Sequence, residues 1–220
     1  MKIALYDFCD TVVNFQTADE YVYFTQKYLD LKEFRHTFMD HEKIRELFID
    51  DWKTNKGAIL YQLRGIRRSA LEDAAKQFYT EKILPNIYEP IVAGMKSHRE
   101  DGYDIYIVSA GYNIYLDFFA EDFGVKGVVA NDFLYQDDLF TGKLCRDDCY
   151  GEEKVRRLDG LFGKCSIEHS ISYSDSISDL PLLKWTDKGV VVSRNVRRPW
   201  VKENGLEDFV LAEWARKQEG

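Results

Sequence analysis

Four short stretches of the chain collect side chains suited to handling an anion. Asp7-Phe8-Cys9-Asp10-Thr11 and Ser109-Ala110-Gly111 each follow an apolar run. Lys154 opens a helical pattern in Gly-Glu-Glu-Lys, and Asp175-Ser176-Ile177-Ser178-Asp179 follows a further apolar run. Carboxylates are hard oxygen donors and potential nucleophiles, lysine is a point charge, and hydroxyls with free backbone N–H groups cradle anions. Each stretch alone has an ordinary explanation. An Asp after a strand is a common turn former or helix cap. Lys154 suits any charged first helical turn, and Asp179 before Leu-Pro-Leu-Leu suits a helix N-terminus. The four together, each where an apolar run ends or a helix begins, point to one site.

Those stretches meet only if the elements before them lie side by side. Residues 2–6, 104–108, 127–130, 169–173 and 189–192 read as buried strands, and 90–100, 114–123, 152–162 and 179–185 carry helical periodicity. This alternation predicts an α/β fold with a Rossmann-like parallel sheet, its strands apolar on both faces. Residues 133–144 read as a hairpin. Residues 14–85 break the alternation, because 20–29, 42–52 and 69–83 look like amphipathic helices with no strand between them. In open α/β sheets the ligand crevice lies at the carboxyl ends of the strands, so an insert leaving the first strand there roofs it. The expected division is a core of 1–13 and 86–220 with an inserted helical cap of 14–85.

The 220 residues carry 38 acidic and 30 basic side chains, a net charge of −8. That field repels a polyphosphate backbone, so no nucleic-acid partner is expected. The four-residue apolar run from Ile3 to Tyr6 is shorter than the roughly 7–15 residues of a secretory signal core. No stretch reaches the roughly 20 apolar residues of a membrane span. The expectation is a cytoplasmic protein with Cys9, Cys145, Cys149 and Cys165 reduced and no membrane partner.

LYDFCDTVV, IVSAGYNIYL, YGEEKVRRL and YSDSISDLPLL resemble the motifs of the haloacid dehalogenase superfamily, in its phosphoserine-phosphatase-like branch with a helical cap. GVVANDFLYQDDLFTGKL resembles that branch's strand and hairpin before the lysine motif, so the likeness spans nearly the whole chain. The resemblance implies an enzyme acting on a small phosphorylated metabolite. Asp7 is then the nucleophile, forming an aspartyl-phosphate. A Mg²⁺ is held by Asp7, the backbone carbonyl of Cys9 and Asp175, with Ser178 and Asp179 orienting its water shell or Lys154. Lys154 and Ser109 contact the phosphate, and backbone N–H groups around Phe8, Ala110 and Gly111 complete the cradle.

The chain departs from that pattern at one decisive place. The family's phosphatases carry a second Asp two residues after the nucleophile as general acid and base, and here that position is Cys9. Asp10 follows one residue later, while Thr11 keeps its place. Three readings stay open. Cys9 donates the proton, Asp10 swings into the role, or the chain uses good leaving groups, transfers the phosphoryl group elsewhere, or binds phosphate without turnover. In the cap, Gln16 stands where phosphoserine phosphatases carry a Glu that faces the substrate ammonium. The arginine expected for a substrate carboxylate is missing at Ala58-Ile59-Leu60, although Arg64, Arg67 and Arg68 follow. A sugar or polyol phosphate is therefore expected ahead of phosphoserine.

Other groupings read as structural. Cys145, Cys149, Cys165 and His169 have a spacing that suggests zinc, but the helix over 152–162 carries the chain about 15 Å between the two pairs. His36 and His41 read as surface histidines, and Arg194, Arg197, Arg198 and Lys202 as a solvated loop. Tyr21, Phe24, Tyr28, Phe34, Phe38, Phe48 and Trp52 read mainly as cap core.

Overall fold

The computed structural model describes residues 1–31, 52–163 and 166–212, with side chains from residue 56 onward in the second stretch. The expected helix over 42–52, His36, His41, Phe34, Phe38, Phe48, the Trp52 side chain and Cys165 lie outside the described residues.

The first strand, β1 (Lys2–Tyr6), is apolar because it is central, and its residues alternate between two cores. Ile3 and Leu5 join Leu158 and Phe162 of α6 (Glu152–Phe162) and Leu182 of α7 (Leu180–Trp185) on one face. Ala4 and Tyr6 join Ile91 and Met95 of α4 (Glu89–Glu100) and Leu116 and Phe119 of α5 (Asn113–Phe123) on the other. Helices thus cover both faces of the sheet, as a parallel sheet requires.

The remaining strands are β2 (Tyr103–Tyr112), β3 (Gly127–Asn131), β6 (His169–Ser174), β7 (Lys188–Ser193) and β8 (Glu207–Val210). Among the described residues they form one parallel sheet in the order β3-β2-β1-β6-β7-β8. Strand order reverses between β1 and β6, and that reversal opens a crevice at their carboxyl ends. A separate antiparallel pair, β4 (Phe133–Gln136) and β5 (Leu139–Leu144), is the expected hairpin.

Three features differ from the sequence expectation. β2 runs on to Tyr112, so Ser109, Ala110 and Gly111 lie near its end instead of following it, with an irregular register between Val108 and Tyr112. β8 and the short helix α8 (Pro199–Glu203) extend the sheet beyond β7, where charged residues conceal the apolar periodicity. Within 14–85 lies a helix with no forecast, α2 (Trp52–Tyr61), between α1 (Thr17–Tyr28) and α3 (Arg68–Phe78).

The chain leaves and re-enters the core side by side. The Asn14 N–H donates to the Asn86 carbonyl at 3.1 Å, and the Tyr88 N–H donates to the Val12 carbonyl at 2.8 Å. Between these crossings α1 and α3 pack over α5. Tyr21 meets Phe78 edge to face at 5.5 Å, and its hydroxyl donates to the Leu71 carbonyl at 2.9 Å. Among the described residues no helix is long and apolar enough to cross a membrane.

Candidate active site

Parallel pairing places the acidic stretches together. Tyr6 lies opposite Tyr173, and the Asp7 N–H continues the ladder by donating to the Tyr173 carbonyl at 2.9 Å. Asp7 therefore emerges beside Ser174 and Asp175. Ile107 lies opposite Tyr6 on the other side, which brings Ser109 to the same edge.

Lys154, in the first turn of α6, is 2% exposed, and its Nζ donates to Asp7 Oδ1 and to Asp179 Oδ2 at 2.7 Å each. Asp179 Oδ2 also accepts from Ser174 Oγ at 2.7 Å, while Asp179 Oδ1 is buried without a hydrogen-bond partner. Thr11 ties the first and last acidic stretches together. Its Oγ1 accepts from the Asp175 N–H at 2.9 Å and shares its proton between Asp7 Oδ2 at 3.3 Å and Asp175 Oδ1 at 3.4 Å.

The electrostatics follow from two carboxylates, Asp7 and Asp179, on one buried ammonium, with Asp175 close to both carboxylates. Burial, with Asp179 and Asp175 nearby, pushes the Asp7 carboxyl up to about 7 despite the attraction of Lys154. Burial and the neighbouring Asp10 push Asp175 up to about 6 against the pull of Arg198. Burial alone lowers a lysine, but Asp179 and Asp7 outweigh it and hold Lys154 protonated. Burial beside Asp7 pushes the Cys9 thiol up to about 11, so it carries its proton at neutral pH.

A cavity of about 410 Å³ opens over this floor. Of the residues singled out by sequence, Asp7, Cys9, Gln16, Ser109, Ala110, Lys154, Asp175, Ser178 and Asp179 line it. Phe8, Asp10 and Gly111 are absent from its wall. Phe8 is buried edge to face against Phe119, 5.1 Å away. The Gly111 N–H donates to Ser109 Oγ at 2.9 Å, within the end of β2. Asp10, at φ +55, accepts from Gln16 Nε2 at 2.6 Å and pairs with Arg194. In this arrangement the Asp10 carboxylate is engaged by Gln16 and Arg194 and stands off the cavity wall. Gln16 reaches the cavity wall with its amide nitrogen already donated to Asp10.

In the basic cluster, which follows β7 in a loop as expected, two partly exposed members also make contacts at the site. Arg194 bonds Asp10 and, at 2.6 Å, the Asn14 carbonyl. Arg198 bonds the Asp175 carbonyl and lies 3.7 Å from its carboxylate.

Sequence reasoning missed part of the roof. Asp19, one turn beyond Gln16 on α1, lines the cavity, as do Tyr150 and Lys56 of α2. The spacing of three between Gln16 and Asp19 was the available signal. Lys56 carried none, since its helix was unforeseen. Its Nζ donates to the Ala110 carbonyl and to Asp148 Oδ1, the latter at 2.7 Å, and Asn131 Nδ2 donates to the same two oxygens at 2.9 and 2.6 Å.

Among the described residues no group of three or more His, Cys, Asp or Glu side chains is arranged as a metal site. Cys145 donates to the Phe133 carbonyl on β4 and buried Cys149 to the Val129 carbonyl on β3, so each thiol is tied to a different strand. A hard cation with much of its shell in water needs fewer side chains than such a cluster. Asp7 and Asp175 at the cavity, both raised by burial and by neighbouring carboxylates, fit that demand, as does the orphaned Asp179 oxygen.

A family model described as haloacid dehalogenase-like hydrolase matches residues 4–184. A probable phosphatase of Mycobacterium tuberculosis is 26% identical over 179 residues, which cover 80% of this chain and 58% of that protein. The chain thus spans little more than half the length of that relative. A phosphoserine phosphatase of Methanocaldococcus jannaschii is 22% identical over 191 residues, 83% of this chain and 81% of that protein. Among solved structures, a Bordetella pertussis protein of unknown function superposes with a TM-score of 0.75 at 19% identity, over 96% of this chain and 98% of that one. A substrate-bound phosphoserine phosphatase superposes with a TM-score of 0.62 at 18% identity, over 98% of this chain and 97% of that one. With well over half of its length matched by the family model, the chain belongs to the haloacid dehalogenase-like hydrolases.

Proposed function

We propose that this chain is a Mg²⁺-dependent phosphatase that hydrolyses a small phosphomonoester through an aspartyl-phosphate at Asp7. The observation that carries the reading is the buried ammonium of Lys154, 2.7 Å from both Asp7 and Asp179 at the floor of a cavity that Ser109 and Asp175 also line. Asp7 attacks phosphorus, and Lys154 and the Ser109 hydroxyl hold the phosphoryl oxygens. Asp7, Asp175 and the Cys9 backbone carbonyl hold the Mg²⁺, and Ser178 and Asp179 orient its water shell or Lys154. The ion's part is to offset charge on the transferring group. The Cys9 thiol, protonated at neutral pH, gives its proton to the leaving oxygen and later recovers one from the attacking water.

Residues 14–85 act as the cap, hinged at the paired crossings near 14 and 86, and closure excludes water from the transfer. The setting is the reducing cytoplasm, where the Cys9 thiol persists; nucleic acid and membranes are not partners.

The substrate is a sugar or polyol phosphate, because Gln16 and the half-buried Asp19 offer acceptors for hydroxyl protons at the roof. Asp19 also favours one competing class, since a carboxylate there can pair with an amine. The Cys9 substitution itself favours a second reading, transfer to an acceptor other than water or phosphate binding without turnover. The test is phosphate release from a panel of sugar, polyol, amino-acid and nucleotide phosphates, with Mg²⁺ and with chelator, for wild type and Asp7→Asn. Metal-dependent release from a polyol ester, absent in Asp7→Asn, supports the assignment. Release from phosphoserine rivalling every sugar phosphate overturns the substrate class, and silence across the panel favours the second reading.

A further inference from the structure

Behind the cavity wall a chain of three buried or half-buried side chains runs to Cys9. The Tyr112 N–H donates to the Tyr115 hydroxyl at 3.0 Å, that hydroxyl lies 2.8 Å from Thr17 Oγ1, and Thr17 Oγ1 lies 3.1 Å from Cys9 Sγ. The Thr17 N–H also donates to Sγ, at 3.4 Å. Thr17 and Tyr115 are fully buried, so no water is at hand to satisfy a misdirected proton.

The direction of this chain is set at its far end. A backbone N–H can only donate, so the Tyr115 oxygen accepts from Tyr112. Were Cys9 to donate to Thr17 and Thr17 to Tyr115, the phenol proton would be buried without an acceptor, which is costly in a dry interior. In the opposite sense every proton is used. Tyr115 donates to Thr17, and Thr17 donates to Cys9 through both its hydroxyl and its N–H. The sulfur then accepts twice, and its own proton is left for the cavity that Cys9 lines. Gly111 makes room for the arrangement, since a Cβ there would stand 2.7 Å from the Tyr115 hydroxyl.

We infer that Thr17 and Tyr115 are positioning residues for proton transfer, aiming the Cys9 S–H at the leaving-group oxygen and supporting the sulfur as its proton departs; this rests on the phosphatase reading above. As the ester oxygen–phosphorus bond breaks and the Asp7 oxygen–phosphorus bond forms, the Cys9 proton moves to the leaving oxygen. The S–H electron pair stays on sulfur, where the two Thr17 donors stabilise it. Water then attacks phosphorus, the Asp7–phosphorus bond breaks, and one water proton returns to sulfur. The sum is ester plus water giving alcohol plus phosphate.

The test compares kcat/KM on an alkyl phosphate, whose leaving oxygen needs a proton, with kcat/KM on p-nitrophenyl phosphate, whose leaving oxygen does not. For Thr17→Val the alkyl-to-aryl ratio should fall about 10- to 100-fold, a share of the roughly 10²–10⁴ available to a positioned acid. Thr17→Ser should restore it, and Tyr115→Phe, which keeps the ring, should lower it severalfold. That last variant also reads the ratio should Thr17→Val fail to fold. Cys9→Ala separates the two levels. A ratio that falls in Cys9→Ala but not in Thr17→Val or Tyr115→Phe overturns the positioning role and leaves Cys9 as the acid. A ratio unchanged in Cys9→Ala overturns the acid role of Cys9 and the inference with it.

Discussion

The floor and the roof of the cavity are built on different principles. At the floor, Asp7, Lys154, Ser174 and Asp179 sit on or next to paired strands and a helix start, interlocked by hydrogen bonds of 2.7 Å and closed to solvent. At the roof, Gln16 at the start of α1, Asp19 on α1 and Lys56 on α2 face the cavity, with Gln16 bonded to Asp10 and Lys56 to the Ala110 carbonyl and Asp148. Rigid parallel strands hold the groups that must be placed within fractions of an ångström, while the helices carry groups that can vary with the substrate. The difference implies that floor variants lose the chemical step, and roof variants lose affinity.

The sharpest way to break that contrast is to remove one lysine from each side. Lys154→Met leaves Asp7 and Asp179 buried without their cation, which costs about 3–5 kcal/mol. The expected outcome is a Tm lower by roughly ten degrees and phosphate release lower by at least about a thousandfold. Lys56→Met leaves Asp148 and the Ala110 carbonyl with Asn131 alone. It should cost about 1–3 kcal/mol, with KM raised severalfold and kcat changed far less. Equal losses of kcat in the two variants would erase the distinction.

A smaller effect sharpens the electrostatic side. The Asp7 carboxyl is raised from 3.8 to about 7 in the folded chain, chiefly by burial. Between those values the folded state holds a proton that the unfolded chain has lost, so stability falls as pH rises through the window. Asparagine cannot ionise. In chelator, the Tm of Asp7→Asn should therefore exceed that of wild type by a margin that grows from about pH 5 to about pH 8. A margin constant across that range contradicts the account of a carboxyl raised by burial, and added Mg²⁺ should shrink it by stabilising wild type alone.

The smallest effect is expected at Asp10. Its carboxylate is held by Gln16 and Arg194, so Asp10→Asn should change kcat on an alkyl phosphate less than about threefold. A loss of a hundredfold or more would return the acid role to Asp10.

Much of the floor was legible in the sequence because Asp7 and Asp175 follow buried apolar strands and Lys154 opens a helix, and those elements carry their own periodicity; Ser174, the last residue of β6, was not singled out. The pairing of β1 with β2 and β6 then leaves little freedom in where Asp7, Ser109 and Asp175 emerge. The roof was less legible. Trp52–Tyr61 mixes Lys, Thr, Asn and Gly with only a few apolar residues, so no face stands out, and Lys56 was overlooked. β8 escaped notice for a related reason, since Glu207-Asp208-Phe209-Val210 begins with two acids and its strand character comes from pairing with Val190–Ser193. Gly111 shows a third kind of limit. Its place in the motif suggested an anion contact, whereas its missing side chain leaves room for the Tyr115 hydroxyl, which only tertiary packing reveals.

The central claim is that Asp7 takes the phosphoryl group, and acid quenching during turnover tests it most directly. A substrate found by phosphate release is mixed with the Mg²⁺-loaded protein, quenched, and digested for peptide mass spectrometry. The account predicts a phosphoryl adduct on Asp7, labile to hydroxylamine as an acyl phosphate must be and absent from Asp7→Asn. An adduct on Ser109 or another residue, or sustained phosphate release by Asp7→Asn, would contradict it.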